Sequence, residues 1–273
     1  MHPDVWVSRL DLLVAGKKKL AERSVGMEEL RSGFHQQLDL LRQSLTALIA
    51  SVIDAIPRAT GALLGGDLEG ADYLIQFDDE MDARSIEIEE QCYQLIALQA
   101  PVAGDLRQVV SIVRMVAEVE RSADLTVNIC KAARRIYGHD LDPKLRGTIA
   151  KMSEQAQSLF SAALEAFEES DVAKASAIDD MDNYLDSLQR QFIQSIFESH
   201  SAGNIDLQVA IQLAVIARFY ERIGDHAVNI GERVRYVVTG WMPEHKGAAR
   251  YRRANPQDDT DGIPVIQMNR DVV

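Results

Sequence analysis

A chain of 273 residues with 47% hydrophobic and 26% charged residues is too apolar to stay disordered, and it can bury one large core or two small ones. Its formal net charge of −13 argues against nonspecific binding to nucleic acid or anionic lipid and favours cations or basic partner faces. Two cysteines, Cys92 and Cys130, in no Cys-x-x-Cys pattern, argue against a disulfide scaffold and place the chain in reducing cytosol, as packed thiols.

Residues 1–27 put their lysines after a short apolar run, the reverse of a secretory signal, and read as an unstructured extension with Met27 as an alternative start. No stretch reaches eighteen consecutive apolar residues; the longest candidate, VAIQLAVIARFYERI, is interrupted by Gln212, Arg218 and Glu221. From Glu28 apolar residues recur three and four apart through Leu30, Phe34, Leu38, Leu41, Leu45, Leu48, Val52 and Ile56. This predicts a first helix over about 28–64, bent or divided at Pro57 and ended by Gly65-Gly66.

Asp67 is placed to cap a second helix reaching Leu98, with Pro101 and Gly104 marking the next break. A third helix is expected over 104–137, closed by Gly138 and HDLDP. The pattern then recurs: a fourth helix over 143–169, a fifth from a Ser170 or Asp171 cap to about 199, a break at HSAGN, and a sixth over 205–239. No strand is expected. Beyond Gly240 the periodicity is lost, and residues 241–273 read as a flexible tail whose KGAARYRR patch is diluted by NPQDDTDG.

The fold class is therefore all-α, three helices followed by three helices, and the second trio repeats the first. ERSADLTVNI from Glu120 returns as ERIGDHAVNI from Glu221, an offset of 101. Asp78 and Asp82 recur as Asp182 and Asp186 at an offset of 104, so the second copy has lost three residues in the break between helices. The expected units are an extension over 1–27, a first three-helix repeat over 28–140, a second over 141–240 and a tail over 241–273.

Residues four apart on a helix share a face. Glu120, Asp124 and Asn128 thus form one stripe of oxygen-bearing side chains, and Asp78 with Asp82 form a pair on the preceding helix. If neighbouring helices bring the stripes together, each repeat gathers four carboxylates: Asp78, Asp82, Glu120 and Asp124, then Asp182, Asp186, Glu221 and Asp225. Such gathering is unfavourable without a positive charge between the groups, and a multivalent cation supplies one. Helical bundles hold iron or manganese this way, and all-oxygen sites also suit magnesium or calcium.

His226 projects about 100° from the stripe and stays outside the ligand set. The competing reading is a pair of solvated acidic faces knitted by arginines, because Arg121, Arg218, Arg222 and Arg190 lie three or four residues from Asp124, Glu221, Asp225 and Asp186. No glycine-rich phosphate loop, nucleophile elbow or His-Glu-x-x-His is present, and no Glu-x-x-His pair of the diiron oxidases. A carboxylate-bridged metalloenzyme is the alternative from another class.

With DDEMD, QAPVAGDLRQVV and ERSADLTVNI in the first repeat and DNYLD and ERIGDHAVNI in the second, the chain resembles the PhoU family of phosphate-signalling regulators over roughly residues 28–240. The resemblance implies two three-helix bundles related by pseudo-symmetry. Its Glu/Asp-x-x-x-Asp motifs imply a multinuclear iron cluster or another divalent ion such as zinc, manganese or magnesium, and the motifs also stand without one. It further implies a cytoplasmic, non-enzymatic negative regulator between the phosphate ABC transporter ATPase and its sensor histidine kinase. Such a protein contacts the membrane only through partners and binds no nucleic acid; a homodimer stays open. One departure is local: Ala123 stands where the family commonly has the glycine seen at Gly224, which should relax helix approach in the first repeat.

Overall fold

A computed structural model describes residues 4–242, with side-chain surroundings from Arg31 onward. Six helices follow one another: α1 (Asp4–Gly65), α2 (Leu68–Gln99), α3 (Ala103–Arg135), α4 (Pro143–Glu169), α5 (Val172–Ser201) and α6 (Leu207–Thr239). No strand occurs among the described residues. The expected tail from Pro243 onward lies outside them.

Aspartates start four of these helices, each accepting hydrogen bonds from amides that have no partner within the helix. Asp67 accepts from Gly70 N at 2.9 Å, Asp142 from Leu145 N at 3.0 Å, Asp171 from Ala173 N at 2.7 Å and Asp206 from Val209 N at 2.8 Å. The exception is α3, whose cap Val102 offers no side-chain acceptor and whose first residue, Ala103, has φ +47°. It starts three residues before Leu106, the position matching Leu207 of α6. The length difference between the copies falls in this inter-helix region: eight residues, 98–105, stand in the first copy where five, 202–206, stand in the second.

Two differences from the sequence expectation concern α1. It starts at Asp4, well before residue 28, over a stretch without proline in which Leu, Ala, Lys and Glu favour helix. Nor does Pro57 divide it: the helix runs through an exposed proline to Gly65. Proline leaves the carbonyl four residues back without a donor. That carbonyl, on Ile53, accepts instead from Gln157 Nε2 of α4 at 3.2 Å.

The helices form two three-helix bundles with matched packing. Within the first, α1, α2 and α3 all touch one another; within the second, α4, α5 and α6 do the same. The bundles join where α3 meets α6 and α1 meets α4. Side chains of Arg107 beside Gly240, and of Arg135 beside Gln212 at 3.5 Å, show that α3 and α6 run antiparallel. Among the described residues the helix that is long and apolar enough to cross a membrane is the Arg31–Gly65 part of α1. It is so by length and composition only, and half of it is buried inside the bundle.

One buried polar network crosses between the bundles. Tyr220 is fully enclosed; its hydroxyl lies 2.6 Å from Thr60 Oγ1 of α1, which is also 2.8 Å from Ser153 Oγ of α4. Burial pushes the phenol's pKa far up, so it stays a neutral hydrogen-bonding group.

Candidate metal centres

Buried Met81 and Ile88 turn α2 toward the core, and buried Val119, Ala123 and Cys130 do the same for α3. The acidic stripes are left at the edge of the α2–α3 contact. There Asp78, Asp82 and Asp124 each bring a carboxylate oxygen within 4.8 Å of the others. Glu120 stands beside this trio and is repelled by all three members. Burial raises the pKa of Asp78, Glu120 and Asp124, and the neighbouring carboxylates raise it further. Lys131 compensates Asp78 and Asp124 only partly. Asp78 Oδ1 is shielded from solvent and accepts no hydrogen bond.

The α5–α6 pair repeats the arrangement with different neighbours. Asp182 is pushed up to about 6, first by burial and then by Asp186, Asp225 and Glu221. Glu221 and Asp225 are likewise raised by burial, against which Arg218 acts in both cases. Arg218 pairs directly with Glu221, and Arg190 lies 3.9 Å from Asp186. Among the described residues no second trio of carboxylates gathers as tightly as the first. Two of its four acids have an arginine beside them instead. Even so, Asp182 Oδ1 and Glu221 Oε2 are buried without a partner, and Asp182 Oδ1 occupies the position of Asp78 Oδ1 in the first centre.

Gly224 sets the depth of Asp182. A Cβ there would stand 2.4 Å from Asp182 Oδ1 and 2.7 Å from Leu185 Cδ2, closer than atoms pack. Seven residues on, a Cβ at Gly231 would stand 2.9 Å from Ile178 Cδ1. The equivalent residues of α3 are Ala123 and Cys130, both buried, so α3 meets α2 across side chains where α6 brings bare backbone to α5.

All eight acids foreseen from the sequence thus fall at the two predicted helix edges. Of the local arginine pairs, those of Arg218 and Arg190 form, whereas Arg121 turns to Glu118 at 3.8 Å instead of Asp124. His226 faces away from the acids, as expected, and is buried. Its Nδ1 donates to Glu118 Oε2 of α3 at 2.6 Å, and Asn229 Nδ2 donates to the same oxygen at 2.9 Å. Burial alone would raise the pKa of Glu118, but these bonds outweigh it and hold the carboxyl below its usual range. Sequence reasoning missed Glu118; its one signal is an acid where the second repeat has Phe219. Both cysteines are buried, which pushes Cys92 up to about 12 and Cys130 to about 11 and favours the protonated thiol.

The helical bundles agree with the comparison to known proteins. The PhoU domain matches residues 45–133 and again 149–234, more than half of the chain. The chain belongs to the PhoU family. It is similar to the phosphate-specific transport system accessory protein PhoU homolog 1 of Mycobacterium leprae, with 35% identity over 216 residues, 79% of this chain and 96% of that protein. The homolog 1 of Mycobacterium tuberculosis strain H37Rv is 32% identical over 81% of this chain and all of its own length. The crystal structure of the phosphate transport system regulatory protein PhoU from Streptococcus pneumoniae superposes with a TM-score of 0.71 at 28% identity, covering 77% of this chain and 98% of that one. That of PhoU from Pseudomonas aeruginosa gives 0.72 at 27% identity, over 76% and 100%.

The residues fit the cation that the family implies. Both centres offer only carboxylate oxygens, which suit hard or borderline divalent ions, and both hold a buried oxygen that no protein donor satisfies.

Proposed function

We propose that this PhoU protein is a non-catalytic negative regulator of phosphate uptake and phosphate-starvation signalling in the cytoplasm. In this reading it docks on the ATPase of the phosphate ABC transporter and on its sensor histidine kinase, and favours one conformation of each partner over another. Family membership carries the proposal, supported by relatives named as accessory proteins of phosphate-specific transport. Deleting the gene is expected to switch on phosphate-starvation promoters in phosphate-rich medium. Repression that survives the deletion overturns the reading.

Asp78, Asp82, Glu120 and Asp124 would hold one divalent centre, and Asp182, Asp186, Glu221 and Asp225 the other. The ion's contribution is charge neutralisation: it lets carboxylates on two helices stay ionised side by side, which fixes the helix edge a partner meets. The raised pKa values of six of these acids support that role. Metal analysis on the purified protein tests it, with bound metal and no turnover expected. Metal-dependent turnover would favour the metalloenzyme instead.

A further inference from the structure

Glu118 does something the duplicated acids do not: it reaches from one bundle into the other. It lies two residues before Glu120, on the turn of α3 that leads into the first acidic centre. Its partners His226 and Asn229 follow Asp225 by one and four residues, on the turn of α6 that carries the second. The contact is half-buried to buried, with both donors converging on Glu118 Oε2 at 2.6 and 2.9 Å. Charge-assisted bonds of that length are stronger than neutral ones and hold their helices in a fixed register.

The bridge is not a by-product of duplication. Pseudo-symmetry would place a second copy between residues 219 and 125, yet these are Phe219 and Leu125. One polar link therefore joins two turns whose own neighbours are mutually repelling acids. A metal-free acidic edge resists closing; a cation drawn between the acids orders the turn that bears them. Glu118 passes that ordering to the other turn, which then has less freedom to lose when its own ion arrives.

We propose that Glu118 is a positioning residue that couples the two acidic centres, so that filling one with a divalent cation raises the affinity of the other. This rests on the metal-binding reading above. Direct repulsion between two bound cations would give the opposite sign, so the sign of the coupling is diagnostic.

Mn²⁺ binding to the full chain, followed by loss of the free-ion paramagnetic signal, tests it. With Asp78→Asn and Asp124→Asn disabling the first centre, the second is expected to bind Mn²⁺ about fivefold more weakly than when the first is filled, the low end of measured couplings. In Glu118→Gln that ratio should fall to one or below while the unmutated centres keep their stoichiometry. Asn229→Ala, which removes one donor and no charge, should lower the ratio partway and serves if Glu118→Gln folds poorly. An unchanged ratio in both variants overturns the proposal, as does a ratio of one in the unmodified chain. Absence of any bound Mn²⁺ in the unmodified chain overturns the metal-binding reading as well, which distinguishes the two failures.

Discussion

The two acidic centres have the same four-acid ground plan and opposite solutions to its charge. In the first, three carboxylates crowd within 4.8 Å, with Lys131 offsetting Asp78 and Asp124 and Arg121 offsetting the neighbouring Glu120. In the second, Arg218 and Arg190 stand beside two of the acids, while Gly224 leaves room for Asp182 against the helix. A duplicated motif thus conserves where acids stand, and the residues around it decide how much external charge they demand. The first centre has the greater need for a cation; the second is partly self-compensated but buries its key aspartate more tightly.

Metal addition separates the centres most. A ligand at a hundredfold excess over its Kd stabilises by about 2.7 kcal/mol. Asp124→Asn should remove most of the Mn²⁺-induced rise in Tm and Asp225→Asn less of it; the reverse order in a thermal melt would break the comparison.

Backbone approach comes next. Gly224→Ala forces a methyl against Asp182 and Leu185 and should cost about 2 kcal/mol in urea denaturation, the range of overpacked cores. The reciprocal Ala123→Gly should cost no more than about 1 kcal/mol, the helix penalty of glycine. Equal losses would mean that the two helix pairs approach alike.

A smaller effect is expected from pH. Asp182 has a folded-state pKa of about 6, above the unfolded value of about 3.9. Protonation therefore favours the native state; the contribution is full below the unfolded pKa and is lost as pH rises through about 6. In chelator, stability should decline from pH 4.5 to 6.5, and Asp182→Asn should flatten the decline more than Asp78→Asn does. Urea midpoints across that range check it. Glu118 acts in the opposite sense: its lowered pKa adds stability above the unfolded value, which is lost as pH falls through the folded one.

The smallest effect compares α1, which carries a proline, with α4, which supplies the missing donor. Gln157→Ala should cost about 1 kcal/mol in the native chain, one hydrogen bond's worth, and close to nothing in a Pro57→Ala background. Chemical denaturation of the double-mutant cycle measures the difference.

The starts of α2 and α5 were legible because aspartate caps are local chemistry: Asp67 and Asp171 act on amides two or three residues away, as Asp142 and Asp206, not singled out from the sequence, also do. The eight acids were legible because a period of four puts them on one helix edge. What failed was non-local. The continuity of α1 through Pro57 depends on Gln157, 104 residues later. The Glu118 bridge pairs residues 108 and 111 positions apart, and nothing near Glu118 in the chain announces its partners. Gly224 was noticed as a packing residue, but that it seats Asp182 became apparent only when α5 was laid against α6.

The hydroxyl cluster of Thr60, Ser153 and Tyr220 has a consequence for any attempt to cut the molecule in two. A nick between Gly138 and Asp140 leaves the phenol on one fragment and its threonine partner on the other, while position 119, where a self-pairing copy would need a tyrosine, is valine. Neither fragment can complete itself with a twin; mixed together, unlike fragments should recombine in preference to like ones.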